Sequence, residues 1–255
     1  MASKGKDGTS IDVVKVEEGV IRFCIIGRSP FVCNAMSAKV KGDLINPPQK
    51  KNNQERATTL KHDPMEEYRR SPYRAKGDDN ATRIVFPSSG FKRAMASAAL
   101  ELPGTNKTQI GRLCWAEGQY VSLFGIPQMW MAVVRQAGMN KTPDIRTRAI
   151  LPEWACEVVI RYVTPNLREQ PVVNLMASAG VFIGVGDGRP EKGALSFGQF
   201  EIVAEDDERF QRIRKVGGLG AQDQALEHPT FFDVETEELY EWWRSDCKRR
   251  GFKVA

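Results

Sequence analysis

Hydrophobic positions fall into two periods along the chain, and their alternation outlines most of the elements. From Val13 the pattern has strand period: Ile21, Phe23 and Ile25 share one face, Arg22, Cys24 and Ile26 the other, and Gly27 with Pro30 ends the run. Ile84-Val85-Phe86-Pro87 leads into Ser88-Ser89-Gly90, after which Phe91, Ala94, Met95, Ala98 and Leu102 recur at helical spacing until Pro103-Gly104. This predicts a helix starting near Gly90 with the serines as N-caps. Residues 113–136 read as strands broken at Gly118 and Gly125-Ile126-Pro127, with Met129, Met131 and Val133 opposite Trp130, Ala132 and Val134 and both faces expected to be buried.

A polar loop over 137–145 precedes a long strand signal from Arg146 to Val163, in which Trp154, Cys156, Val158, Ile160 and Tyr162 line one face. A second helix is predicted over Gln170 to Ala179, with Gly180 as its C-cap. A glycine-rich loop, Gly184 to Gly198, and a last strand, Gln199 to Val203, follow. The order strand, helix, two or three strands, helix, strand is that of an α+β, modified ferredoxin-like (RRM-like) core with long insertions and a helical C-terminal tail. Three segments result: a flexible N-terminal arm (1–17), a core (18–203) carrying a basic insertion (37–82) and the 137–145 loop, and an acidic linker with a C-terminal amphipathic helix (204–255). In that last helix, from Val234 to Arg249, Leu239, Trp242, Trp243 and Cys247 form the apolar side, expected to dock on the same chain.

Composition removes several function classes. With 255 residues, 41% hydrophobic and 27% charged, the chain can bury a core and is not disordered throughout. Its longest uncharged stretches, Val172 to Val185 and Val121 to Val134, are too short or too broken by Gly and Pro to cross a bilayer, and Met1 to Gly8 is charged with no apolar segment behind it. No membrane partner and no secretion are expected. Five cysteines with no Cys-x-x-Cys spacing suit a reducing cytoplasm, without disulfides or structural zinc, and no cofactor motif is present. Only two histidines, His62 and His228, are available for acid–base chemistry, so the chain reads as a binding protein more readily than as an enzyme.

The net charge of +5 is unevenly divided. Residues 204–255 hold 12 acidic and 9 basic residues, net −3, which leaves 28 basic and 20 acidic residues and net +8 for the rest. The stretch 37–76 alone carries ten Lys or Arg against five acids, a composition suited to a polyanion or to a solvated loop. Lys92 and Arg93 occupy a first helical turn, where positive charge opposes the helix dipole but can meet a phosphate. Arg146 and Arg148 share one strand face, with Lys141 in the preceding loop and Arg135 on the strand before it, a row able to track a phosphate backbone. In the glycine-rich loop Gly184, Gly186 and Gly188 satisfy neither G-x-G-x-x-G nor a P-loop, and what remains is a backbone open to close approach, with Arg189 and Lys192 beside it. His62-Asp63 is the one place where a base could sit beside a carboxylate within a basic loop.

These residues resemble the RAMP superfamily, in particular the backbone subunits of CRISPR effector complexes. Ser88-Ser89-Gly90-Phe91-Lys92-Arg93 resembles the Gly-Ser-Ser-Lys-Gly-type turn that opens their first helix, and Gly184 to Gly198, ending in Phe197-Gly198-Gln199-Phe200, resembles the Gly-rich loop before their last core strand. The resemblance covers roughly residues 18–203, and the insertions look similar to those proteins' thumb and web loops. Gln199 stands where Arg is common, the helix motif lacks its leading glycine, and the tail has no counterpart, as in a diverged relative of the kind a phage or mobile element encodes. The resemblance implies single-stranded RNA or DNA as partner, homo-oligomers or a filament along the strand, and further subunits of a nucleoprotein complex. On this reading Lys92, Arg93, Arg135, Lys141, Arg146, Arg148, Arg189 and Lys192 contact phosphates, helped by Ser88, Ser89, Gly186 and Gly188. Two alternatives stand beside it: a metal-independent endoribonuclease using His62 or Asp63, and a phage-particle assembly protein that binds no nucleic acid.

Overall fold

The computed structural model describes residues 15–36, 38–46, 60–135, 143–192 and 195–252. In chain order its elements are β1 (Glu17–Gly27), β2 (Phe31–Val32), α1 (Ala38–Ile45), α2 (Pro64–Arg70), β3 (Tyr73–Arg74), β4 (Ile84–Pro87), α3 (Ser89–Ala98), α4 (Lys107–Leu113), β5 (Cys114–Ala116), β6 (Tyr120–Phe124), β7 (Gln128–Arg135), β8 (Pro143–Leu151), β9 (Ala155–Thr164), α5 (Glu169–Ser178), β10 (Phe200–Val203), α6 (Glu208–Val216), α7 (Leu219–Glu227) and α8 (Val234–Arg249). The main sheet runs β10-β1-β9-β6-β4-β3, with β5 also on β9. Its antiparallel β10-β1-β9-β6 centre, with α3 after β1 and α5 after β9, is the ferredoxin-like split βαβ arrangement.

Alternation along β1 and β9 sorts the core. Phe23 and Ile25 with Cys156, Val158, Ile160 and Tyr162 meet Phe91, Met95, Val172, Leu175 and Met176 of α3 and α5 on the front. The small residues Ala94 and Ala98 let α3 lie close to the sheet. On the back, Cys24, Ile26, Phe124 and Ala155 are covered by Phe210 and Ile213 of α6. The segment read as an acidic linker therefore carries α6 and α7, and α6 completes the core. Over the open part of the back face the charges are paired: Arg22 and Arg214 with Glu157, and Arg161 with Glu18 and Glu117.

A second sheet, β2-β8-β7, branches off between β6 and β9. The single long strand expected from Arg146 to Val163 is two strands in two sheets, parted at Pro152-Glu153-Trp154. Trp154 is fully buried and its indole N–H donates to the Ser29 carbonyl at 2.8 Å, which holds the crossing. Along the outer edge of β8, side chains of α2 and its C-cap take two backbone donors: the Thr147 N–H donates to Glu67 Oε2 at 3.0 Å and the Ala149 N–H to Ser71 Oγ at 2.7 Å. Helix α2 forms there because Asp63 caps it, Pro64 starts it, acids occupy its first turn and arginines its last. On β7, α8 packs through Tyr240 and Cys247 while the Met131 N–H donates to Thr236 Oγ1 at 3.1 Å.

Several local expectations change. The first strand begins at Glu17 rather than Val13, whose own surroundings lie outside the described residues. Val133 is 64% exposed, so the far end of β7 is not buried on both faces. Ser88 has helical dihedrals and its hydroxyl donates to the Gly118 carbonyl instead of capping α3. After α5 the chain continues through a π-type turn, Ala179–Ile183, and Gly184, at φ +72°, ends it in place of Gly180. Trp242 is 67% exposed, and the docked side of α8 carries Thr236, Tyr240, Trp243 and Cys247. Among the described residues no helix is long and apolar enough to cross a membrane.

Candidate nucleic-acid interface

The glycine-rich loop is tied to its neighbours by backbone hydrogen bonds over its described residues. The Asp187 N–H donates to the Val32 carbonyl at 3.1 Å, the Gly198 N–H to Pro30 at 2.8 Å and the Val185 N–H to Gly198 at 2.9 Å, so the loop lies along β2. Gly186 (φ +83°) has Phe31 against its α-carbon, and a Cβ at Gly198 (φ +69°) would drive into the Val185 carbonyl. The close backbone approach read from these glycines is thus made to the chain itself.

Where this loop, β2, β3, the end of β4 and the first turn of α3 meet, they surround a pocket of about 300 Å³. Phe31, Val85, Phe86, Pro87 and Val185 give it apolar walls, and Tyr73, Asn34, Arg93, Asp187 and Arg189 give it polar groups. Tyr73 also lies 6.0 Å, ring centroid to centroid, from the exposed Tyr120. Arg189 is held in place: Nη1 donates to the Gly186 carbonyl at 2.9 Å and Nε to Glu191 Oε2 at 3.1 Å. Burial pushes the Glu191 carboxyl up, but hydrogen bonds from Ser97 (2.7 Å) and Arg189 carry it below the usual carboxylate value. Arg93, in contrast, is exposed and has no acidic partner among the described residues. Burial raises the thiol of Cys33, at the pocket's base, far above its ordinary value, so it is inert there.

The pocket adjoins the face of the small sheet that carries Trp130, Arg146 and Arg148. Arg148 forms an ion pair with Asp187, and Phe197 packs edge-on against Trp130 at 5.3 Å. Of the residues singled out in the sequence, Arg93, Gly186 and Arg189 line the pocket and Arg148 joins it through Asp187. Gly188, Ser88, Ser89 and Lys192 stand nearby in chain but outside its lining, and Lys192 is exposed. Lys92 turns the other way, close enough to Cys114 to draw down a thiol that burial pushes up to about 11. Arg135 ends β7; its side chain and the whole of Lys141 lie outside the described residues.

Arg146 and Arg148 do share one face of β8, as read, but they are not a row of free charge. Arg146 Nη2 lies 3.1 Å from the buried Asp144, which also holds Lys61 Nζ at 2.6 Å. His62 sits between two carboxylates, Nδ1 at 2.7 Å from Glu67 and Nε2 at 2.9 Å from Asp144. Asp63, the expected partner of His62, instead accepts from the Glu66 N–H as cap of α2. With both ring nitrogens engaged, His62 has none directed at a substrate hydroxyl, and the cluster ties the 60–67 segment to β8. Among the described residues no group of three or more His, Cys, Asp or Glu is arranged to hold a metal ion. Asn34, Tyr73, Phe86 and Asp187 were missed in the sequence; the one signal was an aromatic, Tyr73, next to arginines in the basic insertion.

The fold and this site define an α+β protein with a ferredoxin-like centre and an aromatic, arginine-bearing pocket at the seam of two sheets. No protein-family model matches the chain. No curated protein matches it in sequence. Among solved structures it is similar to a chain in the cryo-EM structure of the Type III-B Cmr-beta bound to cognate target RNA, with a TM-score of 0.36 and 13% identity over 73% of this chain and 59% of that one. The protein thus spans less than two thirds of that chain, and a likeness of this degree fixes neither fold nor function.

Proposed function

We propose that the protein binds single-stranded nucleic acid across the seam between its two sheets, as a diverged RAMP-type subunit. The observation that carries this is the convergence of Arg93, which has no acidic partner among the described residues, and the buttressed Arg189 with Tyr73 and Phe86 around one pocket, which joins cation and stacking surface as single-strand binding requires. Of the two segments that resemble RAMP motifs, 88–93 contributes Arg93 to this pocket and 184–198 contributes Val185, Gly186, Asp187 and Arg189. Asp187 of the lining pairs with Arg148 on the neighbouring sheet face, along which a strand would continue, with copies side by side on it. The core over 18–203 does the binding, and α6 of the following segment covers part of the back of the sheet.

Fluorescence anisotropy against single-stranded RNA, single-stranded DNA and duplex, across a salt series, tests this. The wild type binds a single strand with a steep salt dependence, and Arg93→Glu weakens binding by about tenfold at low salt and lowers the slope by about one phosphate's share. Absence of binding at low salt to any of the three polymers overturns the proposal, and an unaffected R93E variant removes the pocket from it. The second reading, an assembly protein with protein contacts alone, would use the exposed Trp242 on α8. Oligomers that survive nuclease treatment but are lost in Trp242→Ala are its signature.

A further inference from the structure

The pocket holds more specificity than a phosphate track needs. A row of phosphates asks only for cations on an open surface, yet here a concave site of about 300 Å³, at the small end of ligand pockets, has apolar walls and fixed polar groups. That is room enough for one nucleobase. Phe86 and Tyr73 offer aromatic surface to such a base, while Asn34, Asp187 and Arg189 are the groups that can meet its edge.

Asp187 and Arg189 are both pre-positioned. The backbone of Asp187 is bridged to Val32, and its carboxylate, a group of acceptors, is held by the pair with Arg148. Arg189 spends donors on Gly186 and Glu191, and its fork still has N–H groups to give. An acceptor-only group beside a donor-only group is complementary to one base above the others. Guanine presents N1–H and the 2-amino group side by side to a carboxylate, and O6 and N7 as acceptors to a guanidinium. Adenine offers one amino group between the acceptors N1 and N7, cytosine one amino group between the acceptor N3 and C5–H, and uracil one N–H between two carbonyls, so none of them gives a carboxylate two adjacent donors. Resting on the nucleic-acid reading above and refining it, we infer that this pocket is a guanine-selective subsite, in which Asp187 reads the N1–H and 2-amino edge, Arg189 and Asn34 face the acceptor edge, and Arg93 stays free for the flanking phosphate.

The test uses short uridine RNAs, each with one central guanosine, inosine, adenosine or cytidine, in direct anisotropy titrations. The guanosine strand binds on the order of tenfold more tightly than the adenosine and cytidine strands, and inosine, which lacks the 2-amino group, falls between. Asp187→Asn levels the series, whereas Arg93→Glu weakens all four strands alike. Because Asp187→Asn also breaks the Arg148 pair, its thermal midpoint is checked, and competition of free GMP, IMP and AMP for the wild type supplies the same ranking without any variant. Equal affinity of the wild type for all four strands overturns the guanine site while leaving single-strand binding in place. No binding to any strand overturns both.

Discussion

Gln222 is fully buried, and its amide binds four backbone groups from three stretches of chain. Nε2 reaches the carbonyls of Leu123, Gly125 and Gly217 at 2.8, 2.9 and 3.0 Å, and Oε1 accepts from the Ile84 N–H at 2.8 Å. Gln222→Leu leaves these buried groups without partners and should cost about 3 kcal/mol, read as a lower urea midpoint. Gln224→Leu, two positions on and exposed, should stay within about 0.5 kcal/mol. Nothing in the run Gln222-Asp223-Gln224 separates the two glutamines, because the difference lies in strands about a hundred residues earlier, a separation of 99 for the Leu123 bond. The glycines of the 184–198 loop were easier to read, since a positive φ depends on the residue itself; that the approaching surface was Phe31 and Val185 was not visible.

Helix α6 shows how one element can be essential and hard to foresee. Its cap, Asp207, accepting from the Arg209 and Phe210 N–H groups, and its basic last turn were legible signs of a helix inside a stretch whose acidity suggested a linker. The two apolar side chains it lays on the back of the sheet, Phe210 and Ile213, face Cys24, Ile26 and Phe124. Phe210→Ala should therefore cost about 3–5 kcal/mol in thermal or urea unfolding, whereas Trp242→Ala on the exposed side of α8 should change stability by less than about 0.5 kcal/mol. The central strands and α3 and α5 were readable because burial on one side imposes a period along the chain. The division of β8 from β9 was not, because a two-residue period stays in phase through Trp154 while the strands change sheets.

Acid pairs set the pH response of the molecule and the charge its surface presents. Glu153 is held below the ordinary carboxylate value by hydrogen bonds from Arg212, and Asp223 by hydrogen bonds from Arg83, while Glu191 lies below it despite its burial. Carboxyls lowered in the folded state take up protons first when the chain unfolds, so their contribution is complete above the ordinary carboxylate range and fades as pH falls through roughly pH 4 and below. Urea midpoints followed from pH 7 downward should be level at first and then drop, with a shallower drop in Asp223→Asn; a midpoint that rises on acidification would contradict these pairings. The same pairing redraws the basic face: among the arginines expected to meet phosphate, Arg146 and Arg148 are tied to Asp144 and Asp187, and Arg93 has no acidic partner among the described residues. The chain alone determined where periodic elements form, which loop needs glycine and that the body is basic, because each depends on neighbours a few positions apart or on a sum over residues. Only the folded arrangement decided which charges are cancelled and which converge on a pocket, because the partners are distant in sequence, 39 residues for Arg148 and Asp187, and an ion pair depends on distance in space.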